Sequence, residues 1–136
     1  MALADYSEIE QEIKESPEPK TLPRGSEVKA RIISHNEGEG EYGTWHQFVF
    51  DVPSEPLVKE FRKFISDPLQ AKDAEEGVKQ KVYRGFSQFT QCFGIDISRP
   101  VDWDDWVGLE GWVILGVKKS DEYGDQNTIS KYVTGK

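Results

Sequence analysis

Apolar and polar positions begin to alternate at Glu27. Val28, Ala30 and Ile32 fall on one face, and Lys29, Arg31 and Ile33 on the other. That period of two predicts a half-buried strand over 27–33, opened by the turn signal Pro23-Arg24-Gly25. Three glycines and three glutamates between Asn36 and Gly43 predict a flexible hairpin loop. A second strand is predicted over 44–52, with Phe48, Phe50 and Val52 inward and Trp45, Gln47, Val49 and Asp51 opposite. Pro53 and Pro56 close it. The period then turns helical. Leu57, Val58, Phe61, Phe64 and Ile65 recur at three and four residues, which predicts a helix stopped by Asp67-Pro68. A second helix is predicted over 79–93, with Val82, Phe86, Phe89 and Phe93 as its buried stripe and Gly94 as its stop. After an acidic connection holding Pro100, Trp103 and Trp106, Val113, Leu115 and Val117 alternate with Trp112, Ile114, Gly116 and Lys118 in a strand over 109–119. A turn containing Tyr123-Gly124-Asp125 leads to a last strand over 127–133.

The order is strand, strand, helix, helix, strand, strand, with one more short strand to place. This is a mainly β chain with inserted helices, of α+β class. Two hairpins expose edges that need a partner sheet or a closed barrel. An OB-like five-stranded barrel with two helices between its strand groups meets that need. Periodicity alone does not choose it over another α+β sheet.

Charge divides the chain. Residues 1–19 carry Asp5, Glu8, Glu10, Glu12, Glu15 and Glu18 against Lys14, and Pro17 and Pro19 end any short helix begun at Ser7. They read as an acidic tail or docking helix plus linker, suited to recruiting a protein partner. Residues 20–136 form the domain, nearly balanced in charge, so the overall net charge of −8 leaves room for a local basic groove. The same −8 supports a rival reading, an acidic interaction or assembly module without nucleic-acid binding. One cysteine, Cys92, excludes a disulfide scaffold within the chain and fits a reducing, cytoplasmic setting. No apolar run is long enough for a membrane helix, and no signal pattern opens the chain.

Four stretches then carry a resemblance: residues 22–33 (LPRGSEVKARII), 45–53 (WHQFVFDVP), 108–119 (GLEGWVILGVKK) and 121–133 (DEYGDQNTISKYV). In these the chain resembles small bacteriophage single-stranded DNA-binding proteins with an OB-like fold, often encoded beside recombination or replication genes. The likeness spans roughly residues 20–136. It implies largely sequence-independent binding of single-stranded DNA, in the host cytoplasm, in support of phage replication or recombination, with a replication or recombination protein as the partner of the acidic segment. It leaves homo-oligomerisation open. The best-known single-strand binders often carry their acidic tail at the C-terminus, whereas here it is N-terminal, so no C-terminal docking role is carried over.

Such binding needs cations along phosphates and aromatic faces under bases. Lys29, Arg31, Lys118 and Lys119 are the candidate phosphate contacts, and Trp45, Trp112 and Tyr132 the candidate stacking rings. Tyr123 in the last turn could close over a strand or pack locally. Trp112 is balanced between base contact and packing under a helix, while Trp45 is weighted toward the ligand. On residues alone Lys29 and Arg31 read as solvated edge charges; the resemblance favours phosphate. Enzyme signals are weak, and a non-enzymatic protein without cofactor is expected. His35 and His46 are not in a metal-ligand spacing, and Asp102, Asp104 and Asp105 read as turn or helix caps. The Gly-rich segment 38–43 carries glutamates that would repel phosphate, and no Lys-Ser/Thr follows it.

Overall fold

A computed structural model describes residues 2–41 and 43–135; Met1, Tyr42 and Lys136 lie outside the described residues. The alternation from Glu27 becomes β1 (Glu27–Gly40), which pairs antiparallel with β2 (Gly43–Asp51) on one side and β4 (Glu110–Ser120) on the other. Short β3 (Phe61–Phe64) flanks β2, and β5 (Gly124–Tyr132) flanks β4, giving one antiparallel sheet in the order β3-β2-β1-β4-β5. The sheet is open, and a side chain bridges its two edges. Lys63 Nζ on β3 donates to the Ile129 carbonyl on β5 at 3.0 Å and lies 5.2 Å from the Tyr132 ring centre. The chain is therefore mainly β with helices inserted between β3 and β4.

Two expectations change. The loop expected over 36–43 is mostly strand, because β1 and β2 keep pairing to Gly40 and Gly43. The helix expected over 57–65 is instead a loop and β3. Phe61 sits opposite Phe50 with ring centres 5.6 Å apart, and Phe61 and Ile65 are buried while Leu57 and Phe64 are exposed. Phe61, Lys63 and Ile65 thus follow a period of two. A lysine at the middle inward position hid that period.

The helices are α1 (Glu10–Lys14), α2 (Pro68–Ala71) and α3 (Glu76–Phe93). A 3-10 turn over Trp103–Trp106 is capped by the Asp102 carboxylate, which accepts from Asp104 N. Residues 2–20 are exposed throughout, α1 included, and burial begins at Thr21 and Leu22. Asn127 fixes that entry: its side chain accepts from Leu22 N and donates to the carbonyls of Leu22 and Gly116. A buried amide satisfied this way ties the approach to β1 onto β4 and β5. No helix among the described residues is long and apolar enough to cross a membrane.

Helix α3 covers the inward face with the stripe its spacing predicts. Phe86, Phe89 and Phe93 are buried, and Phe89 meets Phe48, Phe93, Trp106 and Tyr132 with ring centres 5.1–5.8 Å apart. The helix can approach β4 because position 111 is glycine. A Cβ there would lie 2.7 Å from the Cys92 carbonyl oxygen and 2.8 Å from its Sγ.

Phe89→Ala should cost about 3–5 kcal/mol in urea unfolding, since the surrounding rings cannot collapse into the space. The Cys92 thiol is half-buried, donates to the Trp112 carbonyl at 3.1 Å, and is pushed by burial up to about 11. Alkylation near pH 8 should therefore run about 100-fold slower in the folded protein than in the unfolded chain.

Candidate nucleic-acid interface

The outward surface of β1 and β2 is set by one extra residue. Ile32 pairs with Phe50 and Ser34 with Val49, so Ile33 is bulged out of the register. Beyond it the faces of β1 exchange parity: His35 and Glu37 now oppose His46 and Phe48 inward, while Gly38 opposes Trp45 outward. Trp45 lies flat on that glycine. A Cβ at Gly38 would come within 2.5 Å of the indole ring. The ring keeps 41 % exposure and meets Phe64 edge-to-face, with centres 6.0 Å apart. Phe64 is 64 % exposed.

From this aromatic pair the surface runs into a cleft of about 350 Å³ between β3 and β5, whose lining includes Gln47, Arg62, Phe64, Lys118 and Gln126 and one carboxylate, Glu60. Arg62 and Gln126 also line an adjoining groove of about 750 Å³, with Arg31, Asp51, Lys59 and Tyr123. The outward faces of β2 and β3 thus join two exposed rings to cations from β3 and β4 and to the β4–β5 turn. Among the described residues neither Arg62 nor Lys118 has an ion-pair partner. Both are open to an anion. Lys63 turns inward, and burial pushes its ammonium below the usual lysine range.

The expected site residues divide accordingly. Trp45, Lys118, Tyr123 and Arg31 border this continuous surface. Arg31 is already engaged, because its guanidinium donates to both Asp51 oxygens at 3.1 and 2.6 Å, a bond that raises its pKa further. Lys29 pairs with Glu110 at 3.4 Å. Trp112 stands opposite Lys29 on the β1–β4 part of the sheet, nine residues along β1 from the Trp45 position. At ~3.3 Å per residue that is about 30 Å. Lys119 is exposed near the end of β4, opposite Asp125.

Tyr132 is corrected. It is 8 % exposed and packs edge-on against Phe89 and Phe93 in the core. Ile114 pairs with Lys131 and Leu115 with Ile129, so Ser130 is an extra residue. That bulge turns Tyr132 inward, where strict alternation had put it outward. Its ring offers no face for stacking.

Phe64 and Arg62 were missed by sequence reasoning, since both fell in the segment read as helical. The available signal was the run Phe61-Arg62-Lys63-Phe64-Ile65, which fits a short strand once Lys63 is allowed to point inward. On the inward side of the same hairpin, His35, Glu37 and His46 form a group able to hold a metal, with donor atoms within 4.8 Å of one another. Burial first, and then the neighbouring His35, hold His46 below its ordinary pKa.

Gly38→Ala should displace the Trp45 ring. The expected readouts are a shifted Trp emission with the far-UV circular dichroism retained, checked against Gly77→Ala, where a Cβ meets nothing within 4 Å.

A scan of protein-family models gave no match to the chain, and a search of curated proteins found none detectably similar, so the functional reading rests on the geometry of this surface.

Proposed function

We propose that the protein is a non-enzymatic single-stranded DNA-binding protein that grips its ligand on the outward faces of β2 and β3. The observation carrying this reading is the exposed Trp45–Phe64 pair beside the uncommitted cations Arg62 and Lys118. Bases stack on rings whatever their identity, and cations track the backbone, so the combination favours single strands with little sequence preference. The strand order supports an OB-like barrel, with β3 and β5 brought edge to edge and the main helix between β3 and β4. In such barrels oligonucleotides lie on the strand 2–3 face between the first and last hairpin loops. Trp45 and Phe64 lie on that face, and Tyr123 in the β4–β5 turn borders it. A role in phage DNA replication or recombination follows from the sequence resemblance.

The test is fluorescence titration with a single-stranded oligonucleotide, with the duplex of the same sequence as control, at low and moderate salt. Binding should quench Trp emission, weaken with salt and strongly disfavour the duplex. Trp45→Ala and Phe64→Ala should each lose about 1–3 kcal/mol, roughly 5- to 150-fold in affinity, with the fold intact. Arg62→Ala should flatten the salt dependence, whereas Lys29→Ala, which removes a cation already held by Glu110, should change it little. Equal affinity for duplex, or no binding at low salt, overturns the reading and leaves the acidic interaction module in its place.

A further inference from the structure

The inward side of the β1–β2 hairpin holds a second constellation, independent of the nucleic-acid surface. His35 and Glu37 on β1 and His46 on β2 face one another because of the Ile33 bulge. His35 Nε2 lies 2.9 Å from His46 Nδ1, and Glu37 Oε2 lies 3.6 Å from the same Nδ1. All three donor atoms fall within 4.8 Å of one another. Tetrahedral zinc, with bonds of ~2.0–2.1 Å, holds neighbouring donors about 3.3 Å apart. The two short separations straddle that value.

The surroundings suit a cation. Asp104 Oδ1 sits 2.7 Å from His35 Nδ1. With Nδ1–H donating to that carboxylate, Nε2 carries the lone pair toward His46 and Glu37. Such a carboxylate–histidine arrangement orients a metal-bound imidazole and raises its basicity. Glu37, Asp67, Asp102 and Asp104 share one cavity of about 390 Å³ with the two histidines, and no Lys or Arg lines it among the described residues. The Trp103 ring lies against His46 with centres 4.0 Å apart, which fixes the imidazole plane. Two imidazoles and one carboxylate select zinc or a similar transition ion over magnesium or calcium.

We infer that His35 Nε2, His46 Nδ1 and a Glu37 carboxylate oxygen form a divalent transition-metal site of the zinc class, with Asp104 as a positioning residue and one coordination position left for solvent or an exogenous ligand. The ion would take the place of the His35–His46 hydrogen bond, and His46 would carry its proton on Nε2. Bound there, it clips β1 to β2 and, through Asp104, to the 3-10 turn.

The test uses the tag-free full chain, stripped with chelator, dialysed and titrated with Co²⁺. One equivalent should give visible d–d absorption of tetrahedral intensity and quench Trp103, and Zn²⁺ should abolish the absorption. Zn²⁺ at about a hundredfold over Kd should raise Tm by about 5–10 °C. Glu37 is exposed, so Glu37→Gln should leave the metal-free Tm unchanged and abolish the cobalt spectrum. Asp104→Asn should keep the spectrum but lower affinity about 10- to 100-fold, which a merely structural contact would not do. Absence of a one-equivalent spectrum, or a spectrum that survives both Glu37→Gln and His35→Gln, overturns the assignment.

Discussion

A single extra residue in β1 governs both faces of the β1–β2 hairpin. Before Ile33 the even-numbered residues point into the core; after it the odd-numbered ones do. Without the bulge Gly38 would face inward and His35 outward. The Trp45 ring would then lose the bare backbone on which it lies, and the two imidazoles would lie on opposite sides of the sheet. An inserted residue costs local ladder pairing and increases twist. Here the strand regains pairing at once, from Ser34 opposite Val49 through Gly40 opposite Gly43.

On the inward side a connected layer of rings runs through the aliphatic core. Phe48 lies between the imidazole of His35, Phe89 of α3 and the Trp103–Trp106 pair, all with centres within 6.0 Å. One aromatic layer therefore connects the sheet, the long helix and the acidic connection. Offset and tilted rings add specific geometry to their area burial. This links the placement of Asp104 to the packing of α3, since both hang on the segment that carries Trp103 and Trp106.

Much of this architecture is legible in the sequence. The first half of β1, the alternation of β2 and the stripe of α3 follow from apolar spacing, although Val49 on the outward side of β2 is buried too. What escapes is whatever breaks strict alternation. An extra residue at Ile33 or Ser130 leaves no mark in residue type, yet each exchanges the faces of everything beyond it. Tyr132 was misplaced for this reason, and the His35–Glu37–His46 constellation was invisible for the same one. β3 escaped because Lys63 occupies a core-facing position, and the neighbouring Phe61, Phe64 and Ile65 satisfy a helical spacing by coincidence. Ion pairing is equally hidden: Lys29 and Arg31 look like free cations along the chain, but Glu110 and Asp51 lie beside them in space.

The seam between β3 and β5 has a mechanical consequence. Elsewhere neighbouring strands of the sheet are joined by backbone ladders, which yield only by breaking several bonds together. At the seam the hydrogen bonds among the described residues come from lysine side chains: Lys63 to the Ile129 carbonyl, supplemented by its approach to the Tyr132 ring, and Lys59, just before β3, to the Asp125 carbonyl at 3.3 Å. A long flexible side chain can follow the carbonyl over a range of separations. The wall of the cleft between Arg62 and Lys118 can therefore change its width while the ladders on either side stay intact.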